Sequence, residues 1–242
     1  MARKPTKRTS GSARTTRRPR LRSRFLRALG AVLVLLILLP VLAILAYRAV
    51  PPPGTPLMLA RDAPADYRWV DFPDIARVAA QAVIVSEDQT FCAHDGIDWR
   101  QMSIVLEELR ETGRPSRGAS TITMQTARNL FLPPSRTALR KAVEIPLALG
   151  LELLLPKRRI VELYLNVVEW GDGIYGIEAA AQHHFGKPAS ALSRTEAARL
   201  AAVLPNPLDR DPARPSAEVG RRAARIAADI VRLGRLFACL DS

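Results

Sequence analysis

The chain has 242 residues and a formal net charge of +13, from 36 Lys and Arg against 23 Asp and Glu. Residues 1–27 hold eleven of the basic residues and no acidic one, so the remainder is close to neutral and the charge belongs to a tail, not to a nucleic-acid-binding face. The length allows one moderate domain with accessory segments, and no internal repeat is visible. The two cysteines, Cys92 and Cys239, form no zinc or disulfide framework, and their spacing leaves open whether they pair.

Residues 1–24 are poor in apolar side chains and rich in Arg, Ser and Thr, which predicts disorder. Residues 28–47 then run without a charge, and a helix of that length spans about 30 Å, the thickness of the hydrocarbon core. Pro40 inside it is tolerated in membrane helices. A cleaved signal peptide would have a shorter apolar region followed by a small-x-small site, so an uncleaved anchor is the reading preferred. Its basic flank places the tail in the cytoplasm and the residues from 50 onward outside. The expected division is a basic tail over 1–27, a transmembrane helix over 28–48, a Pro-rich spacer over 49–70 and a catalytic domain over 71–242. Pro51, Pro52, Pro53, Pro56 and Pro64 stiffen the spacer.

From residue 71 the periodicity is helical, and alternating strand patterns are scarce. Ile75, Val78, Ala79, Ala82 and Val83 lead into Ser86, Glu87 and Asp88. Asp98 can cap a helix carrying Met102, Val105, Leu106 and Leu109. Residues 113–119 read as a loop. Further helices are expected over 120–131, 136–155, 157–167, 175–185, 193–204 and 216–238. Ser193-x-x-Glu196 is a capping box, and Pro146 is expected to kink or split its helix. The fold class is mainly α.

Four constellations could carry chemistry. Glu87 extends an apolar stripe, where partial desolvation would raise its pKa toward the range of a proton acceptor; an acidic pair at a helix end is more often merely solvated. Thr121, Gln125 and Arg128 share one face of a helix whose N-terminus, with Ser120 and Thr121, suits an anion; the plainer reading is an ordinary capped amphipathic helix. Arg140, Lys141 and Glu144 lie within one turn, with Arg136 a turn earlier; they are either a surface ion pair or a site that neutralises a pyrophosphate while the carboxylate positions a sugar. Over 157–187, Ile160, Leu163, Tyr164 and Val167 make an apolar face, Glu162 and Asn166 another, and Ala179 to Ala181 allow close helix approach. Adjacent His183 and His184 point to different faces and His94 is distant, so no metal site is expected.

Taken in order, Glu87-Asp88-x-x-Phe91-x-x-His94-x-Gly96, Gly118-x-Ser120-Thr121-Ile122-Thr123-x-Gln125, Arg140-Lys141-x-x-Glu144, the segment 157–166, and Gly176-Ile177-Glu178-Ala179-Ala180-Ala181 with Phe185-Gly186-Lys187 resemble glycosyltransferase family 51, the peptidoglycan glycosyltransferases. The likeness spans roughly residues 70–210. Neither the S-x-x-K nor the K-T-G signature of a transpeptidase occurs, so the monofunctional members are the nearer match.

The resemblance implies a lysozyme-like glycosyltransferase domain with a small membrane-associated jaw over about 97–118, preceded by one transmembrane helix. It implies polymerisation of lipid II by inverting transfer from a chain on undecaprenyl pyrophosphate to the 4-hydroxyl of the acceptor. By the same resemblance Glu87 is the general base and Glu144 the second glutamate. Asp88, His94, Ser120, Thr121, Gln125, Arg128, Arg136, Arg140 and Lys141 are substrate-binding residues. No tightly bound cofactor is implied; a divalent cation, Mg or Mn, would ride on the substrate diphosphate. The partners implied are lipid II, the lipid-linked glycan, the membrane, and cell-division or wall-synthesis proteins, with no nucleic acid. The place implied is the bacterial inner (cytoplasmic) membrane, single-pass, with the tail cytoplasmic and the catalytic domain periplasmic.

Several positions depart from the family pattern. Met124 stands where the first of two glutamines is usual, Ala119 where a glycine is, His183-His184 where an aromatic precedes Phe185, and Pro146 just past Glu144. Two other readings stay open: a lytic transglycosylase or lysozyme-like hydrolase, which has no diphosphate to bind and would use one glutamate as acid, and an inactive membrane-anchored scaffold, which Met124 alone favours.

Overall fold

The computed structural model describes residues 20–61, 64–114, 118–135 and 137–241. Residues 1–19 of the basic tail, positions 115–117 of the expected loop, and Arg136 lie outside them. The chain divides into two compact units, Met1–Leu39 and Pro40–Ser242. In the first, the described residues form one helix, α1, which starts at Arg20 and continues as far as Tyr47 in the second. It starts earlier than the uncharged run because Arg and Leu are good helix formers. Phe25, Val32, Leu36 and Ile37 all lie exposed, a pattern suited to lipid and not to water. The stretch Arg24–Tyr47 is long and apolar enough to cross a membrane.

In the second unit, the end of α1 is part of the folded body. Ile44 is fully buried against Gly150, where a Cβ would stand only 3.3 Å from the Ile44 Cδ1. Arg159 Nε donates to Tyr47 O at 2.7 Å. The Pro-rich stretch, expected to be a spacer, is folded onto the domain as well. It holds a short helix, α2 (Pro56–Ala60), capped by Thr55, and a strand, β1 (Asp66–Tyr67). β1 pairs in parallel with β3 (Ile174–Tyr175), which pairs antiparallel with β2 (Glu169–Gly171). Strands of two or three residues are too short to show a period of two, so this sheet escapes a reading by pattern.

Eight helices complete the body among the described residues: α3 (Arg77–Glu87), α4 (Trp99–Thr112), α5 (Ile122–Phe131), α6 (Ala138–Leu154), α7 (Lys157–Val167), α8 (Ile177–Phe185), α9 (Arg194–Val203) and α10 (Ala217–Arg232). Their starts follow local chemistry. Asp98 accepts from Gln101 N, Thr121 from Met124 N, Thr137 from Arg140 N and Ser216 from Val219 N. Ser193 and Glu196 form the reciprocal capping box. Pro146 does not split α6, which is continuous through it.

The centre of the domain is α7. The expectation of one apolar face and one polar face fails here, since every residue from 160 to 167 is buried. Two of its polar side chains, Glu162 and Asn166, bind the backbone of residues 70–72. Glu162 Oε1 accepts from Phe72 N at 2.8 Å, and Asn166 exchanges hydrogen bonds with Val70 N and Val70 O at 2.9 Å each. Burying them unpaired would be costly, so they fix the 70–72 segment on α7. Gly176, between β3 and α8, has φ +86°, and a Cβ there would lie 2.7 Å from Asn166 O, so glycine is required. A disulfide joins Cys92 to Cys239, with the Cα atoms 5.4 Å apart.

Candidate active site

The last turn of α3 and the first turn of α5 meet at the floor of an open cleft of about 720 Å³. Glu87, Asp88, Ser120, Thr121, Gln125, Arg128 and Arg222 are among its lining residues. Glu87 closes α3, where the apolar run Ala82 to Val85 is buried and pulls the following turn against the core. Its side chain is 15% exposed, so it is neither sealed nor fully solvated. Ser86 Oγ lies 3.0 Å from Glu87 Oε1, and Gln125 Nε2 lies 3.4 Å from Oε2. Gln125 Oε1 in turn accepts from the Tyr164 hydroxyl at 3.3 Å, so α7 orients the amide that orients Glu87.

Asp88 faces inward. His94 Nε2 lies 3.0 Å from its Oδ2, and the same oxygen accepts from Ile122 N at 2.9 Å. The N-terminus of α5 is therefore filled from within: Asp88 takes one of its first N–H groups and Thr121 Oγ1 takes another. Thr121 Oγ1 itself donates to Gly96 O at 2.6 Å. An outside anion at this helix end, the sequence expectation for Ser120 and Thr121, would have to displace those partners. Lys157 stiffens the same loop, with Nζ 2.6 Å from His94 O and 4.6 Å from the centre of the Phe91 ring.

The cations gather on the other side of Ser120. Glu144 is 2% exposed and pairs with both Arg140 and Lys141, the latter at 3.0 Å. The surface ion pair of the plainer reading is thus a triad built around a buried carboxylate. Lys141 Nζ also donates to Ser120 Oγ at 2.7 Å, which joins the triad to the cleft wall. Burial, reinforced by the guanidiniums of Arg128 and Arg140, pushes the Lys141 ammonium down to about 8, and the Glu144 carboxylate opposes that shift. Burial also lowers Arg128, against the pull of Tyr164 and Glu87. The Arg128 side chain makes no hydrogen bond or ion pair among the described residues, and it lines the cleft.

Met124 is fully buried in the core, one residue before Gln125 on the helix. The departure from glutamine at this position therefore repacks the interior and removes no group from the cleft, which takes away the one feature favouring an inactive scaffold. Arg222 was missed by sequence reasoning. It comes from α10, far along the chain, and nothing local to its basic run Arg221-Arg222 points to Glu87. Among the described residues no group of three or more His, Cys, Asp or Glu could hold a metal ion.

A carboxylate in an open cleft beside a fixed cluster of cations is a site for moving a proton near a polyanionic group. In comparison with known proteins, a family profile described as transglycosylase matches residues 56–231. The chain belongs to the transglycosylase family. A relative from Rhodospirillum centenum named biosynthetic peptidoglycan transglycosylase is 52% identical over 223 residues, covering 90% of this chain and 96% of that one. Proteins of the same name from Rhizobium meliloti and Brucella suis are 54% and 49% identical, covering 72% of this chain in each case and 74% and 77% of their own. The family match begins at residue 56, so α2 and β1 lie inside it, in keeping with their packing on the domain.

Proposed function

We propose that this enzyme polymerises lipid II into peptidoglycan glycan strands, and that Glu87 is its general base. Glu87 accepts the proton of the acceptor 4-hydroxyl as that oxygen bonds to the donor's anomeric carbon. The bond from that carbon to the diphosphate breaks, and undecaprenyl pyrophosphate leaves with its electron pair, so the configuration inverts. Attack and departure lie on opposite faces of the sugar, which requires base and cations to stand apart, as Glu87 and the Arg140–Lys141 pair do on α3 and α6. The single observation that carries this reading is the buried Glu144, paired with Arg140 and Lys141, the latter of which reaches the cleft wall at Ser120. Lys141, Arg140 and Arg128 take the diphosphate, Gln125 holds Glu87 in line, and Asp88 with His94 supports the loop between them. A divalent cation would arrive with the diphosphate, since the described residues offer it no cage of carboxylates and imidazoles.

The anchor reading belongs here too. The apolar α1 lies in the inner membrane, its basic tail in the cytoplasm and residues 49–242 outside, where lipid II is consumed. The test supplies purified full-length protein with lipid II and reads glycan strands on a gel. Wild type makes polymer that persists in β-lactams, and Glu87→Gln makes about 100-fold less or none. Cutting of finished peptidoglycan without polymer formation would overturn the proposal.

A further inference from the structure

Arg222 sits where α10 packs on α3 and α9, and it reaches the end of α3. Its Nη2 lies 3.0 Å from Ser86 Oγ and 3.7 Å from Glu87 Oε1. Ser86 has one hydroxyl proton and two neighbouring acceptors, Glu87 Oε1 at 3.0 Å and Ala201 O at 3.2 Å. By donating to Ser86, Arg222 fills a lone pair of that oxygen and leaves its proton to be given onward. The pair is not a surface bridge, since the two side chains are 35% and 15% exposed. The Arg222 Nε is buried without a hydrogen-bond partner among the described residues. An orphaned donor weakens the case that packing alone selects this geometry.

The other groups around Glu87 do not supply the same effect. On α5, Gln125 is neutral and Arg128 feels Glu87 without an ion pair to it; on α7, Tyr164 is a phenol spent on Gln125. Asp88, next in the chain, turns its carboxylate away to His94 and Ile122 N. On α10, Arg225 and Asp229 line the adjoining groove with Ser86 and Arg222 and are of opposite sign. Arg222 is thus the cation that contacts the Oε1 side of Glu87.

We propose that Arg222, acting through Ser86, is a positioning residue for the base: it fixes the Oε1 of Glu87, so that Oε2 faces the acceptor hydroxyl. The proposal rests on the reading of Glu87 as general base.

The test is the pH profile of lipid II polymerisation by full-length enzyme. The acid limb of kcat/KM reports the free enzyme's base. Removing a neighbouring cation makes the neutral carboxyl easier to form, so the limb moves to higher pH. Arg222→Gln is expected to move it up by about one unit and to lower kcat roughly tenfold with KM little changed, and Arg222→Lys to recover most of both. Ser86→Ala removes only the relay and is expected to move the limb in the same direction by about half a unit. It keeps the test open should Arg222→Gln fold poorly. An acid limb that stays put in Ser86→Ala and in folded Arg222→Gln overturns the proposal, as does a change confined to KM, which would make Arg222 a substrate contact. Wild-type turnover in Glu87→Gln would instead sink the base assignment, which the other variants leave untouched.

Discussion

Lys141 donates a hydrogen bond to Ser120 across 2.7 Å, and so ties α6 to the strand of chain that enters α5. The same ammonium is held down to about 8 by burial and by Arg128 and Arg140. If Lys141 takes the diphosphate as proposed, raising the pH through about 8 removes that charge and weakens donor binding. We expect kcat/KM to fall about tenfold per unit above that pH, with the limb in kcat displaced upward because a bound diphosphate favours the ammonium. Lys141→Arg should carry the limb out of range, and an unchanged limb in that variant would count against Lys141.

Asp88 and His94 should behave as structural supports. Both are buried, and Asp88 also holds Ile122 N. His94→Ala is expected to lower unfolding stability by about 1–3 kcal/mol in denaturant titration. Asp88→Asn, which strands the imidazole and weakens the α5 cap, should cost more. A stable His94→Ala with a large rise in KM would point instead to direct substrate contact.

The Cys92–Cys239 bridge closes a separation of 147 residues beside the Asp88–His94 loop. Replacing both cysteines with serine should cost about 2–4 kcal/mol of stability. The Arg77–Asp241 ion pair remains to hold the same end of the chain against α3, so the variant should still fold and polymerise at low temperature. Equal melting temperatures for wild type and the double serine variant would contradict this.

Glu196 is pulled two ways: burial raises it, and hydrogen bonds from Lys187 and Ser193 win and hold it at about 2. A depressed carboxyl contributes stability that is complete above its unfolded value, near 4, and is lost as pH falls toward about 2. Ser193→Ala should cost about 1 kcal/mol at neutral pH and flatten that acid dependence. Melting curves at pH 7 and pH 3 for both proteins decide it.

On α4, Trp99, Leu106 and Leu109 are 60%, 45% and 45% exposed. We expect a chain that starts at Pro40, and so keeps Ile44 and Tyr47, to cosediment with vesicles of anionic and neutral phospholipid. Changing Trp99, Leu106 and Leu109 together to serine should weaken that binding at least tenfold. A truncated chain that stays wholly in the supernatant would remove α4 from the membrane contact.

What the sequence makes legible here is mostly local. Asp98, Ser193 and Thr121 announce their helices because a cap and its recipient lie within three residues. The Arg140–Lys141–Glu144 cluster is visible for the same reason. Facing is harder to read: Met124 and Gln125 are neighbours, yet only packing decides that one enters the core and the other the cleft. The polar residues of α7 suggest a solvated side, because the backbone of residues 70–72 that satisfies them comes from some 90 positions earlier in the chain. Arg222 and the Cys92–Cys239 pair are invisible for the same reason, since each meets its partner across more than 130 residues.

That last separation has a meaning for biosynthesis. Chains emerge N-terminus first, at about 5–20 residues per second. The loop carrying Asp88 and His94 is made first, and the half-cystine that closes it follows 147 residues later, a delay of about 7–30 s. For that interval the native partner of Cys92 has not yet been made. The turn that carries Asp88 and His94 is thus locked covalently only after residue 239 has been made, well after the helices it joins.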